Sequence, residues 1–332
     1  MNPTLAPTKP RPSANLFAPI ARDLDEVERL LRETFAQSRP AVQPLLAHVA
    51  QYKGKRLRPA LLLLVAQACG KVTPAHHLLA AVLEMIHTAT LVHDDVLDGA
   101  SVRRHVATVN ATWGNQASIL LGDFLFTHAF HLTSTLDDAR ACRIIGESTN
   151  RLCEGEMQQI CRRGELNLSE DEYLDIIDAK TAELTACACK LGALYAGMDE
   201  NVAARLTSFG RRLGIAFQIA DDLLDLLGEE TLAGKSLGTD LEQQKLTLPV
   251  IFLLQSAAPE LRTRGRQILT AAGNHKRESL LPLLHAAGAF EYATRKAEAL
   301  AAAALADLEC LPASPGRAVL EALADRVVHR DR

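Results

Sequence analysis

The chain carries the same acidic cluster twice, Asp94-Asp95-Val96-Leu97-Asp98 and Asp221-Asp222-Leu223-Leu224-Asp225. On a helix, the first and fifth positions of such a cluster lie one turn apart on the same face. Their like charges repel by about 0.2–0.5 kcal/mol per pair even when solvated. Both clusters also follow long apolar stretches, at the helix end where negative charge is unfavourable. A single cluster also reads as a solvated acidic face. The apolar flanks Leu91, Val92, Val96 and Leu97 and the second copy argue against that reading. Hard divalent cations, which prefer oxygen ligands, are the natural compensation. From Asp94 to Asp221 is 127 residues, so only a fold that returns the chain on itself brings the two patches together. Two facing carboxylate patches with metal between them form a receptacle for a polyphosphate.

Composition points to helices as the means of that return. Of 332 residues, 48% are apolar but only 4% aromatic, and abundant Ala and Leu favour helix over strand. Val27, Leu30, Leu31 and Phe35 keep the spacing of one buried helical stripe, as do Leu79, Val82, Leu83 and Ile86. Thr73-Pro74 predicts a capped helix start, and Ser169-Glu170-Asp171-Glu172 predicts a capping box. No Asn-Gly or Asp-Gly signal marks a hairpin. The expectation is all-α: one large helical bundle with a deep central cavity over residues 21–332, after a disordered tail over 1–20. A net charge of −4 gives no broad basic surface for nucleic acid. The seven cysteines form no C-x-x-C pair, which fits a reducing cytoplasm. The most apolar run, Ala60 to Cys69, is too short for a transmembrane segment.

Cations complement the acids. Gly54-Lys55-Arg56-Leu57-Arg58-Pro59 opens an apolar helix, Arg103-Arg104 follows the first cluster, and Lys235 and Lys245 follow the second. Arginine suits bidentate phosphate binding and lysine acts as a point charge. Any one of them alone also reads as a snorkelling side chain. The P-loop pattern is absent. His87 lies about two turns before Asp94 on nearly the same face, where it can donate a hydrogen bond to phosphate or rest as a core histidine. Glu84-Met85-Ile86-His87 spells the half-site of a di-iron bundle, but the chain has no second E-x-x-H.

Taken in order, these motifs resemble the trans-prenyltransferases, the polyprenyl diphosphate synthases. The resemblance spans Gly54 to Pro249 and includes Gly122-Asp123, Lys180-Thr181, the run from Gly214 to Asp225 with Gln218, and Gly234-Lys235. Ile86 to Asp95 and Gly114-Asn115-Gln116-Ala117-Ser118 look like the long-chain bacterial type, and Arg330-Asp331-Arg332 fits octaprenyl synthases. His105 departs from the pattern, because the family usually has glycine after the arginine pair.

The resemblance implies a prenyltransferase that condenses isopentenyl diphosphate head-to-tail with an allylic diphosphate such as farnesyl diphosphate, giving octaprenyl diphosphate for a quinone side chain. It implies magnesium, three ions per site, with Asp94, Asp98, Asp221, Asp222 and Asp225 as the metal patch. Asp94, Asp98, Asp221, Lys180 and Gln218 are the expected catalytic residues. Arg103, Lys180, Thr181, Gln218, Lys235 and Lys245 are assigned to the allylic diphosphate. Lys55, Arg58, His87 and Arg104 are assigned to isopentenyl diphosphate. Ala89 and Thr90, one turn before Asp94 and both small, are expected to set product length. A homodimer is implied as well. The alternatives are a shorter-chain farnesyl or geranylgeranyl synthase and a class I terpene cyclase, which has one diphosphate site and leaves Lys55, Arg58 and Arg104 unexplained.

Overall fold

The 3/4 stripes become helices of up to 28 residues. The computed structural model describes residues 16–52, 54–228, 238–271 and 275–328. In chain order the first nine helices are α1 (Ala21–Ala36), α2 (Gln43–Val49), α3 (Leu57–Cys69), α4 (Pro74–Leu97), α5 (Val109–Ser134), α6 (Ala139–Cys161), α7 (Glu170–Ile177), α8 (Glu183–Tyr195) and α9 (Glu200–Leu227). Further helices run from Thr239–Glu242 to Pro315–Val328. Residues 18–20, assigned on sequence to the tail, belong to the folded body instead. They form a 3-10 turn, and Ile20 is fully buried.

The helix starts follow their chemistry. Ser169 and Glu172 form the predicted capping box. At Thr73 the box is closed by a histidine, with the Thr73 N–H donating to His76 Nδ1 at 3.0 Å. Every residue of α3 from Pro59 to Ala66 is buried, as expected of a helix that is apolar all round and sits at the centre of a bundle. Helix α4 is long and apolar enough to cross a membrane by composition alone, but 61% of its most apolar window is buried inside the protein. One apolar cluster joins α3, α4, α8 and the first half of α9. A second joins Ile219 and Leu226 near the end of α9 to Tyr173, Ile176, Ile177 and the helices after Thr247. Helix α9 therefore runs through both cores and ends at the acid cluster.

Two departures from regular helix place functional side chains. Between α4 and α5, Val102–Arg103 pairs antiparallel with Val106–Ala107. No turn signal marks this hairpin, because its two-residue turn is Arg104-His105, with φ of 50° and 65°. Both φ values are positive, as a type I′ turn requires, and Asn-Gly is the usual solution. A glycine at the second position would take this φ without the steric cost that His105 carries. The other departure is a π turn, Asp178–Ala182, between α7 and α8.

Candidate active site

Both acid clusters lie at the C-terminal ends of their helices, as the sequence predicted: Asp94 and Asp95 in the last turn of α4, Asp98 as its C-cap, and Asp221, Asp222 and Asp225 in the last two turns of α9. Their carboxylates have different surroundings. That of Asp94 makes no hydrogen bond or ion pair among the described residues, and its pKa is raised to about 6. Burial is the main cause. Lys180 opposes it, Glu156 and Asp98 add to it, and Arg103 opposes it more weakly. Asp95 is buried and accepts from Arg103 Nε at 2.8 Å. Asp98 faces two cations, Arg163 Nη2 at 2.9 Å and Lys245 Nζ at 3.3 Å.

In the second patch, Asp222 is buried, accepting from the Tyr173 hydroxyl at 2.6 Å and Gln218 Nε2 at 2.7 Å. Burial, with Asp240 and Asp221, pushes its carboxyl well above the usual range against those two hydrogen bonds. Asp225 is also buried and accepts from Thr239 Oγ1 at 3.1 Å and the Asp240 N–H at 3.3 Å. Asp222 and Asp225 thus have protein partners; Asp221, at the head of the motif, is half-buried. Among the described residues no three acid or histidine side chains converge on one point. As an all-oxygen donor set, with Asp94 unpaired and close enough to feel Asp98, the acids fit a hard divalent cation shared with a phosphate-bearing ligand better than a closed protein cage.

The π turn brings Lys180 and Thr181 to the same mouth. Lys180 Nζ meets Glu156 at 2.6 Å and Gln159 Oε1 at 2.9 Å on α6. Thr181 Oγ1 donates to Gln218 Oε1 on α9 at 2.8 Å. Burial works against the charge of Lys180, but Asp94, Glu156 and Asp98 outweigh it and raise the pKa. A cavity of about 90 Å³ is lined by Gln159, Tyr173, Lys180, Thr181, Gln218, Asp222 and Lys245, among others. It therefore touches the second patch directly and the first through Lys180 and Lys245. Gly155 makes this packing possible, since a Cβ there would sit 2.6 Å from Ala179 Cβ. Lys235 lies outside the described residues, as do Gly234 and the terminal Arg330-Asp331-Arg332.

A second cationic cluster surrounds His87. Arg58 is half-buried, and desolvation lowers its pKa to about 10, with Glu84 opposing and Arg104 assisting. Its Nε has no hydrogen-bond partner among the described residues. Burial, then Arg58, Arg104, Arg103 and Arg56, holds the His87 imidazole well below its ordinary pKa, so His87 is a neutral hydrogen-bonding group there. Arg104 donates to Tyr52 O at 3.0 Å and lies against Gly54, where a Cβ would be 2.5 Å from Nη1. An arginine whose Nε is buried with an unmet donor, among cations that outnumber nearby acids, fits an anion. Lys55 is exposed in the adjoining loop. Arg56, grouped on sequence with the other two cations, instead ties α1 to α4 through Glu28 and Glu84, both at 2.5 Å.

Several site residues were not read from the sequence: Glu156, Gln159, Arg163 and Tyr173. Glu156 and Gln159 are three apart on α6, so they share a face; that spacing was the available signal. Of the length residues, Ala89 is fully buried in the first core, and Thr90 is half-buried with its hydroxyl donating to His87 O at 2.8 Å.

Residues 39–285 match the family described as polyprenyl synthetase. The chain belongs to that family. It is therefore a prenyltransferase. It is 36% identical over 316 residues to octaprenyl diphosphate synthase of Escherichia coli, covering 94% of this chain and 97% of that one. It is 37% identical over 307 residues to the all-trans-nonaprenyl-diphosphate synthase (geranyl-diphosphate specific) of Rhodobacter capsulatus, covering 92% and 94%. A polyprenyl synthase of Caulobacter crescentus, solved with calcium and isoprenyl diphosphate, superposes with a TM-score of 0.87 at 38% identity, covering 97% and 99%. The all-α prenyltransferase fold expected from the sequence stands.

Proposed function

We propose that this prenyltransferase is a long-chain polyprenyl diphosphate synthase that extends an allylic diphosphate, farnesyl diphosphate as the primer, with isopentenyl diphosphate to octaprenyl diphosphate for a quinone side chain. The observation that carries the reading is the pair of separate cationic clusters, one around Lys180 and one around His87, flanking the C-terminal end of α4. A cyclase has one diphosphate to hold; this chain has two sets of groups for two.

Asp94, Asp98 and Asp221 would hold magnesium, three ions by family likeness, with Asp222 and Asp225 supporting the second patch; when bound, the metal supplies Lewis-acid neutralisation of the leaving diphosphate. Lys180, Arg103, Lys245 and Lys235 grip the same diphosphate, while Thr181 and Gln218 turn their dipoles toward the developing allylic charge. Lys55, Arg58, His87 and Arg104 hold the isopentenyl diphosphate, which keeps its own diphosphate throughout. The allylic C–O bond breaks, the alkene carbon bonds to the allylic carbon, and a proton passes to the departing diphosphate. The growing chain descends past Ala89 and Thr90. Exposed Ile119 and Leu120 on α5 and Met157 and Ile160 on α6 form the face on which a second copy docks as a homodimer, and the enzyme works in the cytoplasm.

The test is product analysis with farnesyl diphosphate, labelled isopentenyl diphosphate and magnesium. The expected outcome is a labelled polyprenyl ladder ending at the octaprenyl product. Cyclised, unlabelled hydrocarbon would refute it.

A further inference from the structure

The π turn that carries Lys180 and Thr181 closes with a backbone bond in which the Glu183 N–H donates to Asp178 O. The side chains of the same two residues are bridged by a single guanidinium. Arg211 on α9 reaches Asp178 Oδ1 at 2.5 Å with Nη1 and Glu183 Oε2 at 2.8 Å with Nη2. Arg151 on α6 doubles the bridge from the other side, at 2.6 Å from Asp178 and 3.5 Å from Glu183. Ser148 Oγ donates to the second oxygen of Glu183 at 2.8 Å. Two carboxylates and two guanidiniums thus staple the first residue of the turn to the residue just after it.

A π turn is an unfavourable interruption of an α-helix, most often found at functional positions. Here it sends two consecutive side chains to different neighbours, Lys180 to α6 and Thr181 to α9. Packing alone squeezes the turn from both sides. A Cβ at Gly155 would lie 2.9 Å from Lys180 N, and one at Gly214 would lie 2.6 Å from Ala182 Cα. Close packing limits how far the turn can move but does not select i→i+5 over i→i+4. The staple does, because it spans the residues that the longer bond joins.

We infer that Arg211, acting with Arg151 through Asp178 and Glu183, is a positioning residue that keeps the turn in its π form and so aims Lys180 and Thr181 together at the allylic diphosphate. The inference rests on the reading of that site proposed above.

Arg211→Met keeps most of the side-chain volume and removes the bridge. The expected result is a KM for the allylic diphosphate raised about tenfold with the KM for isopentenyl diphosphate within about twofold, a split that marks selective loss of one substrate's binding. Arg211→Lys, a point charge able to satisfy one carboxylate at a time, should fall between the two. A role in stability alone would lower the melting temperature and leave both KM values of the folded enzyme unchanged. An unchanged allylic KM, or equal rises for both substrates, overturns the inference. If Arg211→Met does not fold, the isosteric Asp178→Asn decides by the same two KM values. Wild type that incorporates no labelled isopentenyl diphosphate would instead overturn the functional reading, so the two failures are distinct.

Discussion

Asp94→Asn should make the metal-free protein more stable while abolishing its activity. The wild-type carboxyl has its pKa raised from 3.8 to about 6, chiefly by burial. That shift corresponds to about 3 kcal/mol of folding free energy withheld at neutral pH. The folded carboxyl keeps its proton to higher pH than the unfolded one. Wild type therefore gains stability from this group as pH falls from about 7 toward 4, whereas the isosteric amide has nothing to titrate. The variant's advantage should be ~3 kcal/mol at pH 7.5, about half that at pH 5 and under about 1 kcal/mol at pH 4. For a chain of this length, ~3 kcal/mol moves the melting temperature by roughly 4 °C. The assay is paired thermal and denaturant unfolding of both proteins with a chelator across that pH range; taking the difference cancels groups such as His87 that titrate in both. Adding magnesium should then raise the wild-type midpoint more than the variant's. A variant no more stable than wild type at pH 7.5, or a gap that does not narrow in acid, would refute the reasoning.

Arg58→Ala and His87→Ala should raise the KM for isopentenyl diphosphate by about tenfold or more and that for the allylic substrate little; steady-state kinetics with each substrate varied in turn decides. Ala89→Phe should still consume both substrates but end its product ladder several units early, because a phenyl ring blocks the passage without touching an acid; wild-type product length on chromatography would show that Ala89 does not line it. His105→Gly should add about 1 kcal/mol by relieving a left-handed conformation, read as a higher denaturant midpoint, and a lower midpoint would show that His105 earns its place through a contact.

Most of the helical frame was legible because it depends on periodicity and caps, which are local. The same holds for the acid clusters and for His87, whose positions follow from spacing along single helices, whereas Lys180 and Arg58 were singled out by the resemblance. What the sequence hid depends on contacts between distant segments. Arg56 reads as one more phosphate-seeking cation, and only the folded chain shows Glu28 and Glu84 closing on it. Arg163 is one of two adjacent arginines after α6, unremarkable until Asp98 arrives from 65 residues away. The hairpin that presents Arg103 and Arg104 was missed because its turn uses residues that ordinarily avoid positive φ. Its conformation is held by tertiary bonds, from Arg103 to Asp95 and from Arg104 to Tyr52 O. The π turn has no sequence signature at all, since the residues that stabilise it lie on α6 and α9.

The two acid motifs are alike as text but have diverged in duty at their last letter. Asp98 sits between the side chains of Arg163 and Lys245, and among the described residues its carboxylate holds no backbone group. Asp225 is a permanent fastening. Besides its side-chain bonds to Thr239 and Asp240, its carbonyl accepts from Gly238 N at 3.0 Å, so it joins the end of α9 to the start of the helix Thr239–Glu242. Asp240 O in turn accepts from the Lys245 N–H at 2.8 Å. Lengthening the carboxylate by one methylene is therefore a different event at each site. At 98 it changes the reach of a charge between two cations. At 225 it displaces a helix start and, two links along, Lys245. As homologous chains drift apart, the third aspartate of the second motif should tolerate less change than its twin, and the pressure on it is architectural.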